Sequence, residues 1–217
     1  ARFQYYDGKN PDWPLRVQDA ELRFVTVMLE AMRKDPRDVQ TLINDNHWPP
    51  LHPEYPERLD YGCEAANPLV LKGLTQVTTG APQNIYNGGL QRGNVRYFDV
   101  DRARPGLPLD VAALVDKLTP DRTGLQLVNT STTATHRLIV QAGAFGEHHF
   151  TEAKVLTSTA NASALDPLGW LEESKTLSEH VVPVNGKHFA VELPPSTSVR
   201  IEAGTKRFAN QPSYAAP

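Results

Sequence analysis

A single cysteine, Cys63, stands among 217 residues, which excludes an internal disulfide and a cysteine-rich zinc site. No histidine lies within ten residues of it in the sequence, so the thiol lacks a neighbouring base and is expected to be a small buried side chain. Apolar runs are short. None approaches the roughly 20 residues that cross a bilayer, so no membrane partner is expected and the chain should be soluble. Charge of one sign is also missing: 22 Lys and Arg against 25 Asp and Glu give −3, with the signs interspersed. There is no basic stripe of the sort that neutralises phosphates, which argues against a nucleic-acid partner. The spacings GxSxG, HExxH, GxGxxG and the P-loop are all missing. The hydrolase elbow, the zincin and the nucleotide site therefore lack their motifs, and no cofactor is expected. The chain starts Ala-Arg-Phe-Gln, with neither an initiator methionine nor a secretory leader, and reads as a processed chain or a piece of a longer one.

Proline and alternation are what the chain has in quantity. Eighteen prolines sit mostly between periodic segments and imply stiff, ordered connections, because aliphatic and aromatic residues are interleaved with them. From Leu125 to Phe208 apolar and polar residues alternate with β-branched enrichment, as in LQLVNTS, HRLIVQAGAFGEHHFTEAKV and HVVPVNGKHFAVELPPSTSVRIEAG. That pattern predicts antiparallel strands buried on one face. Asn185-Gly186 predicts a two-residue hairpin turn, which would put Val182, Val184, Phe189, Val191 and Leu193 on one face. Such a face needs a second sheet over it. A loop at Gly143 to Glu147 is expected to close another hairpin, with His136 opposite residues 154 and 155. In the last strand Val199, Ile201 and Ala203 should face inward, and Phe208 and Tyr214 are available to pack back.

The first half has a different period. Phe3, Tyr5 and Tyr6 before Asp7-Gly8 suggest a short strand and turn. Leu15, Leu22, Val25, Leu29 and Met32 recur at helical spacing and predict a helix from about Pro14 to Lys34 with one apolar side. A second helix follows Asp35-Pro36. A third starts at Asn67-Pro68 and ends at Gly80. Val95 to Asp99 reads as a strand, and PLDVAALVDKL, from Pro108, as a helix burying Val111, Leu114, Val115 and Leu118. Thr119 to Gly124 is the expected domain boundary. The fold class expected is therefore α+β: a helical, proline-rich part over residues 1–120, then an antiparallel β-sandwich over 124–217.

Residues 44–63, NDNHWPPLHPEYPERLDYGC, have no period, and a long structureless stretch of this kind is usually functional. Trp48 and Tyr55 are rigid planes flanked by the hydrogen-bonding groups of His47, His52 and Glu54. Packing of Trp48 and the prolines against a neighbouring domain is the plainer alternative. Asp60 and Glu64 follow directly. If they share a cleft, one carboxyl kept neutral by burial and one ionised would be the general acid and base of glycoside cleavage; salt bridges and caps are the structural alternative. Tyr86 and Asn87 add a ring and an amide, a combination that suits sugars, whose rings have apolar C–H faces and hydroxyl edges. His148 and His149 point to opposite faces of any regular strand, so no metal site is expected, and the histidines should lie at the surface or rim.

The ending V-E-L-P-P-S followed by S-V-R-I-E-A-G resembles the C-terminal antiparallel sandwich domains that lie behind the catalytic domains of many bacterial glycoside hydrolases and lyases. The resemblance covers roughly the last 90 residues and carries no catalytic residue with it. It implies a multidomain, carbohydrate-active protein or the C-terminal portion of one, with carbohydrate as ligand and the remainder of a larger chain or a second copy as partner. A noncatalytic assembly module, docking through the proline-rich loop, is the other expectation.

Overall fold

The computed structural model describes residues 1–34, 72–82, 92–160 and 175–217. The chain forms two compact units, one of Ala1–Pro11 with Leu74–Pro217 and one of Asp12–Gly73. Among the described residues three helices precede the strands: α1 (Arg2–Tyr6), α2 (Trp13–Lys34) and α3 (Lys72–Thr79). The strands are β1 (Val95–Asp99), β2 (Arg104–Pro105), β3 (Val111–Leu118), β4 (Arg122–Asn129), β5 (His136–Ala142), β6 (His149–Ala160), β7 (Lys175–Gly186), β8 (His188–Leu193) and β9 (Ser198–Lys206). They make two antiparallel sheets, ordered β2-β1-β5-β8 and β3-β4-β9-β6-β7. The fold class is α+β, with helices first and a sandwich after them.

Period-two burial explains the sandwich. Val95, Leu138, Val140 and Leu193 of the first sheet meet Val115, Leu125, Leu127, Phe150 and Ile201 of the second in one core. The Phe150 and Phe189 rings, from different sheets, lie 5.1 Å apart and tilted. In β9 the expected inward residues Val199, Ile201 and Ala203 are buried. In β8 Phe189, Val191 and Leu193 point in, whereas Val182, expected on the same face, is 39 % exposed.

Both expected hairpins are instead crossings between sheets. β7 pairs with β6 and β8 with β5, so Val182 lies opposite Ala153 and Phe189 opposite Val140. Asn185 does take positive φ, +45°. The turn residues set a bend there, but pairing is decided by the long ladder from Phe150↔Gly186 to Ala160↔Lys175, which no two-residue hairpin could match. β5 and β6 likewise belong to different sheets, and His136 lies opposite Leu193 rather than residues 154 and 155.

The helix expected over 108–118 is strand β3. Its sequence satisfies both periods, and burial selects 111, 113 and 115, the strand set, because β4 offers a ladder from Val111↔Asn129 to Leu118↔Thr123. Thr119 to Gly124 accordingly runs through the β3–β4 turn into β4. Residues 2–6 form a helical turn rather than a strand. α2 has the expected extent, yet Leu15, Leu22 and Leu29 are 73, 66 and 40 % exposed, not buried. Within its unit, α2 is tied to Gly73, whose N–H donates to the Glu21 carboxylate. α3 ends where expected, at Gly80, φ +69°. The helix expected after Pro36 lies outside the described residues.

Candidate functional site

In the sandwich unit an open cleft of about 450 Å³ lies where β1 begins and β3 ends. Its size falls within the range of small-molecule sites. Its back wall is a rigid polar joint. Gly80 ends α3, and Asn94 takes over the orphaned carbonyls: its N–H donates to Thr79 (2.8 Å) and its Nδ2 to Gly80 (2.8 Å). A side chain at position 80 would crowd Leu118, Val115 and the Asn94 amide, so glycine is required by both space and φ. The Tyr97 hydroxyl donates to the Thr78 carbonyl (2.7 Å), and burial raises its pKa.

Arg207 holds Asn94 from the other side. Its Nη1 donates to Asn94 Oδ1 (3.1 Å), and its Nη2 reaches the carbonyls of Thr119 and Arg122 and the Thr123 hydroxyl. Burial lowers its pKa and the Asp121 carboxylate opposes that; so fully bonded a guanidinium stays charged.

The front of the cleft comes from α1. Arg2 Nη1 donates to the Ala81 carbonyl (2.6 Å), and its guanidinium lies over the Phe3 ring, 5.0 Å from the centroid. Phe3 itself is 73 % exposed. The Tyr6 phenol is pushed up to about 12, first by burial, with Arg2 working against it, so it stays neutral at physiological pH. Arg92, Asp7 and Pro82 complete the lining. The cleft thus has an open ring, two cations, one carboxylate and neutral hydrogen-bonding groups. It can bind and orient, and among the described residues its side chains include no pair of carboxylates for acid–base work.

A second polar cluster lies between β5 and β6, beneath the C-terminal segment. Gly143 has φ +85°, and a Cβ there would run into the Glu147 carboxylate. That buried carboxylate accepts the Phe145 N–H (2.8 Å). His148 is buried too, a correction to the expected surface histidine, and its Nδ1 accepts the Phe208 N–H (3.0 Å). Asn210 donates to the carbonyls of His148 (2.6 Å) and Glu147 (3.1 Å). Burial lowers the His148 pKa, Glu147 raises it and Arg207 lowers it. Phe208 and Tyr214 do pack back, on His148 (4.7 Å) and Phe145 (5.0 Å). Among the described residues no three His, Cys, Asp or Glu side chains gather as a metal site would need, and no helix is long and apolar enough to cross a membrane.

Asp60, Glu64, His47, Trp48, Tyr55, Tyr86 and Asn87 all lie outside the described residues. The cleft residues Arg2, Phe3, Tyr6, Arg92 and Asn94 had no motif to announce them. Only the aromatic run Phe3-Gln4-Tyr5-Tyr6 was a signal, and it pointed to a strand. Compared with known proteins, the chain matches no family model and no curated sequence.

Proposed function

We propose that the chain belongs to a carbohydrate-active protein in which the sandwich unit binds sugar in the cleft between Arg2 and Arg92. One observation carries the reading: the exposed Phe3 ring stands in a cleft that also holds the planar polar groups of Arg2, Arg92, Asn94 and Asp7, beside Pro82 and Leu118. A pyranose has an apolar C–H face that packs on such a ring, while its hydroxyl edges need the donors and acceptors of arginine, asparagine and carboxylate. Asn94, held at both its amide nitrogen and its oxygen, keeps the wall fixed so that little ordering is left for the ligand to impose. In this proposal glycoside cleavage, by hydrolysis or elimination, belongs to Asp60 and Glu64, with His47, Trp48, Tyr55, Tyr86 and Asn87 as further sugar contacts.

A glycan array probed with the full chain, followed by titration calorimetry on the hits, tests the binding role. Phe3→Ala should weaken binding by about tenfold, the loss of one ring platform, with the unfolding curve unchanged because the ring is exposed. Absence of binding to every sugar on the array sinks the proposal.

The assembly reading has its own observation. Leu15, Leu22 and Leu29, seven residues apart on α2, are exposed, the spacing of a helix seam that packs on another helix. Sedimentation over a concentration series tests it, and a monomer throughout would remove a homo-oligomer from consideration.

A further inference from the structure

The charge of the cleft points to a class of sugar, an inference that rests on the carbohydrate reading above. Two guanidinium groups, Arg2 and Arg92, and one carboxylate, Asp7, line the cleft. Arg2 is already aimed, by its bond to the Ala81 carbonyl and by its stacking on Phe3. Arg92 is exposed, and among the described residues it has no hydrogen-bond or ion-pair partner. Other arginines of the unit are engaged: Arg137 with Asp101, Arg200 with Asp116 and Glu202, Arg207 with Asn94 and the β3–β4 turn. Arg102 is exposed as well, but the cleft is where two guanidinium groups line one site.

Guanidinium donors match a carboxylate or sulfate in two parallel hydrogen bonds, which a hydroxyl cannot reproduce. A neutral sugar would cover these cations without supplying a counter-charge, and desolvating an uncompensated charge is unfavourable. We propose that the cleft selects an acidic glycan, a uronate or a sulfated sugar, with its anionic group between Arg2 and Arg92 and its ring against Phe3. Asp7 then accepts from a sugar hydroxyl.

The test is calorimetric titration of the full chain with an oligouronate, a sulfated oligosaccharide, a neutral oligosaccharide of equal length, and polyglutamate as an anion without sugar. The acidic sugars should bind at least about tenfold more tightly than the neutral one, as for one charge-assisted pair, and the advantage should shrink with added salt. Arg92→Gln should cost the acidic sugars at least about tenfold and the neutral sugar clearly less, since glutamine still offers an amide to a hydroxyl but no charged fork to an anion. Arg92→Lys should recover only part of that loss, because a point charge lacks the fork. Unfolding curves of both variants should match the wild type, since Arg92 supports no other described residue.

Equal affinity for acidic and neutral sugars would overturn this inference and leave the carbohydrate reading standing. Binding of no sugar at all would overturn both. Polyglutamate binding as tightly as oligouronate would make the cleft a plain anion site, and an acidic preference that survives Arg92→Gln would place the anion elsewhere. Either of these outcomes also overturns the proposal.

Discussion

The two polar clusters of the sandwich unit use similar side chains and differ in what lies over them. Around Glu147 and His148 the charged and polar groups are 5 and 4 % exposed and are matched by backbone groups of the same chain. In the cleft, Phe3 and Arg92 face solvent, and Arg92 has no partner among the described residues. Buried polar groups that are fully matched rigidify a fold and leave nothing for a ligand. Open groups with spare donors are where one can be recognised. Perturbed titration alone does not separate the two, since His148 is perturbed and enclosed. Arg207 joins the clusters, being next to Phe208 in the chain and bonded to Asn94 at the cleft wall.

Gly143→Ala is the harshest test of the closed cluster. An L side chain at φ +85° is strained, and its Cβ would displace the Glu147 carboxylate from the Phe145 N–H. The expected cost is about 3 kcal/mol in urea unfolding, with sugar affinity of the folded fraction unchanged. A loss below 1 kcal/mol (about one ordinary hydrogen bond) would mean that the loop relaxes freely and the cluster is not a rigid joint. Arg207→Met should cost about 2 kcal/mol, because the Thr119 and Arg122 carbonyls and the Thr123 hydroxyl lose a charged donor. Unlike Gly143→Ala it should also weaken sugar binding, by releasing Asn94. If it leaves binding intact, the two clusters are independent and the joint between them carries no positional information.

The clusters should also govern opposite pH limbs. His148 accepts the Phe208 N–H only when neutral, and its folded pKa lies below 6.5. The unfolded chain therefore takes up this proton first, and the contribution is whole above about 6.5 and falls as pH drops through the folded value. Glu147 and Arg207 are the charged groups acting on the ring. Thermal unfolding between pH 7.5 and 5 (roughly one unit either side of an ordinary histidine) should fall less steeply in His148→Gln than in the wild type. Tyr6, at the cleft, has the opposite sign: its folded pKa is about 12 against 10.0, so the unfolded phenol ionises first and stability is lost between those values as pH rises. Tyr6→Phe should flatten that alkaline limb. Parallel slopes for variant and wild type at either end would break the corresponding half of the comparison.

Alternation was enough to read β4, β8 and β9 from the sequence, because a half-buried strand writes its period directly into residue type. Position 185 was legible as a bend, and 143 to 147 as a connection. Partner choice was not, since it depends on which distant strand offers the longer ladder. β3 was ambiguous because Val111 and Val115 fit both periods, and only β4 at its side decides. Leu15, Leu22 and Leu29 were legible as a stripe, but a stripe does not say whether anything covers it. The cleft left no pattern, being assembled from residues 2–7, 80–82, 92–94 and Leu118, which no local window contains. His148 looked like half of an ordinary pair until the C-terminal segment lay over it.

The smallest expected effect separates backbone from side chain in the closed cluster. Phe208 is 80 % exposed, sits at φ +53°, and sets its ring edge-on to His148 at 4.7 Å. Alanine at +53° meets the same backbone strain, so Phe208→Ala isolates the ring and should cost only about 0.5 kcal/mol. The N–H that His148 accepts belongs to the backbone and survives the substitution. The acid limb of stability should therefore keep its wild-type slope while the whole curve shifts slightly down. A flattened limb in Phe208→Ala would mean that the ring, by excluding water, is what holds His148 neutral. The closed cluster would then owe its enclosure to one exposed side chain rather than to the hydrogen bonds beneath it.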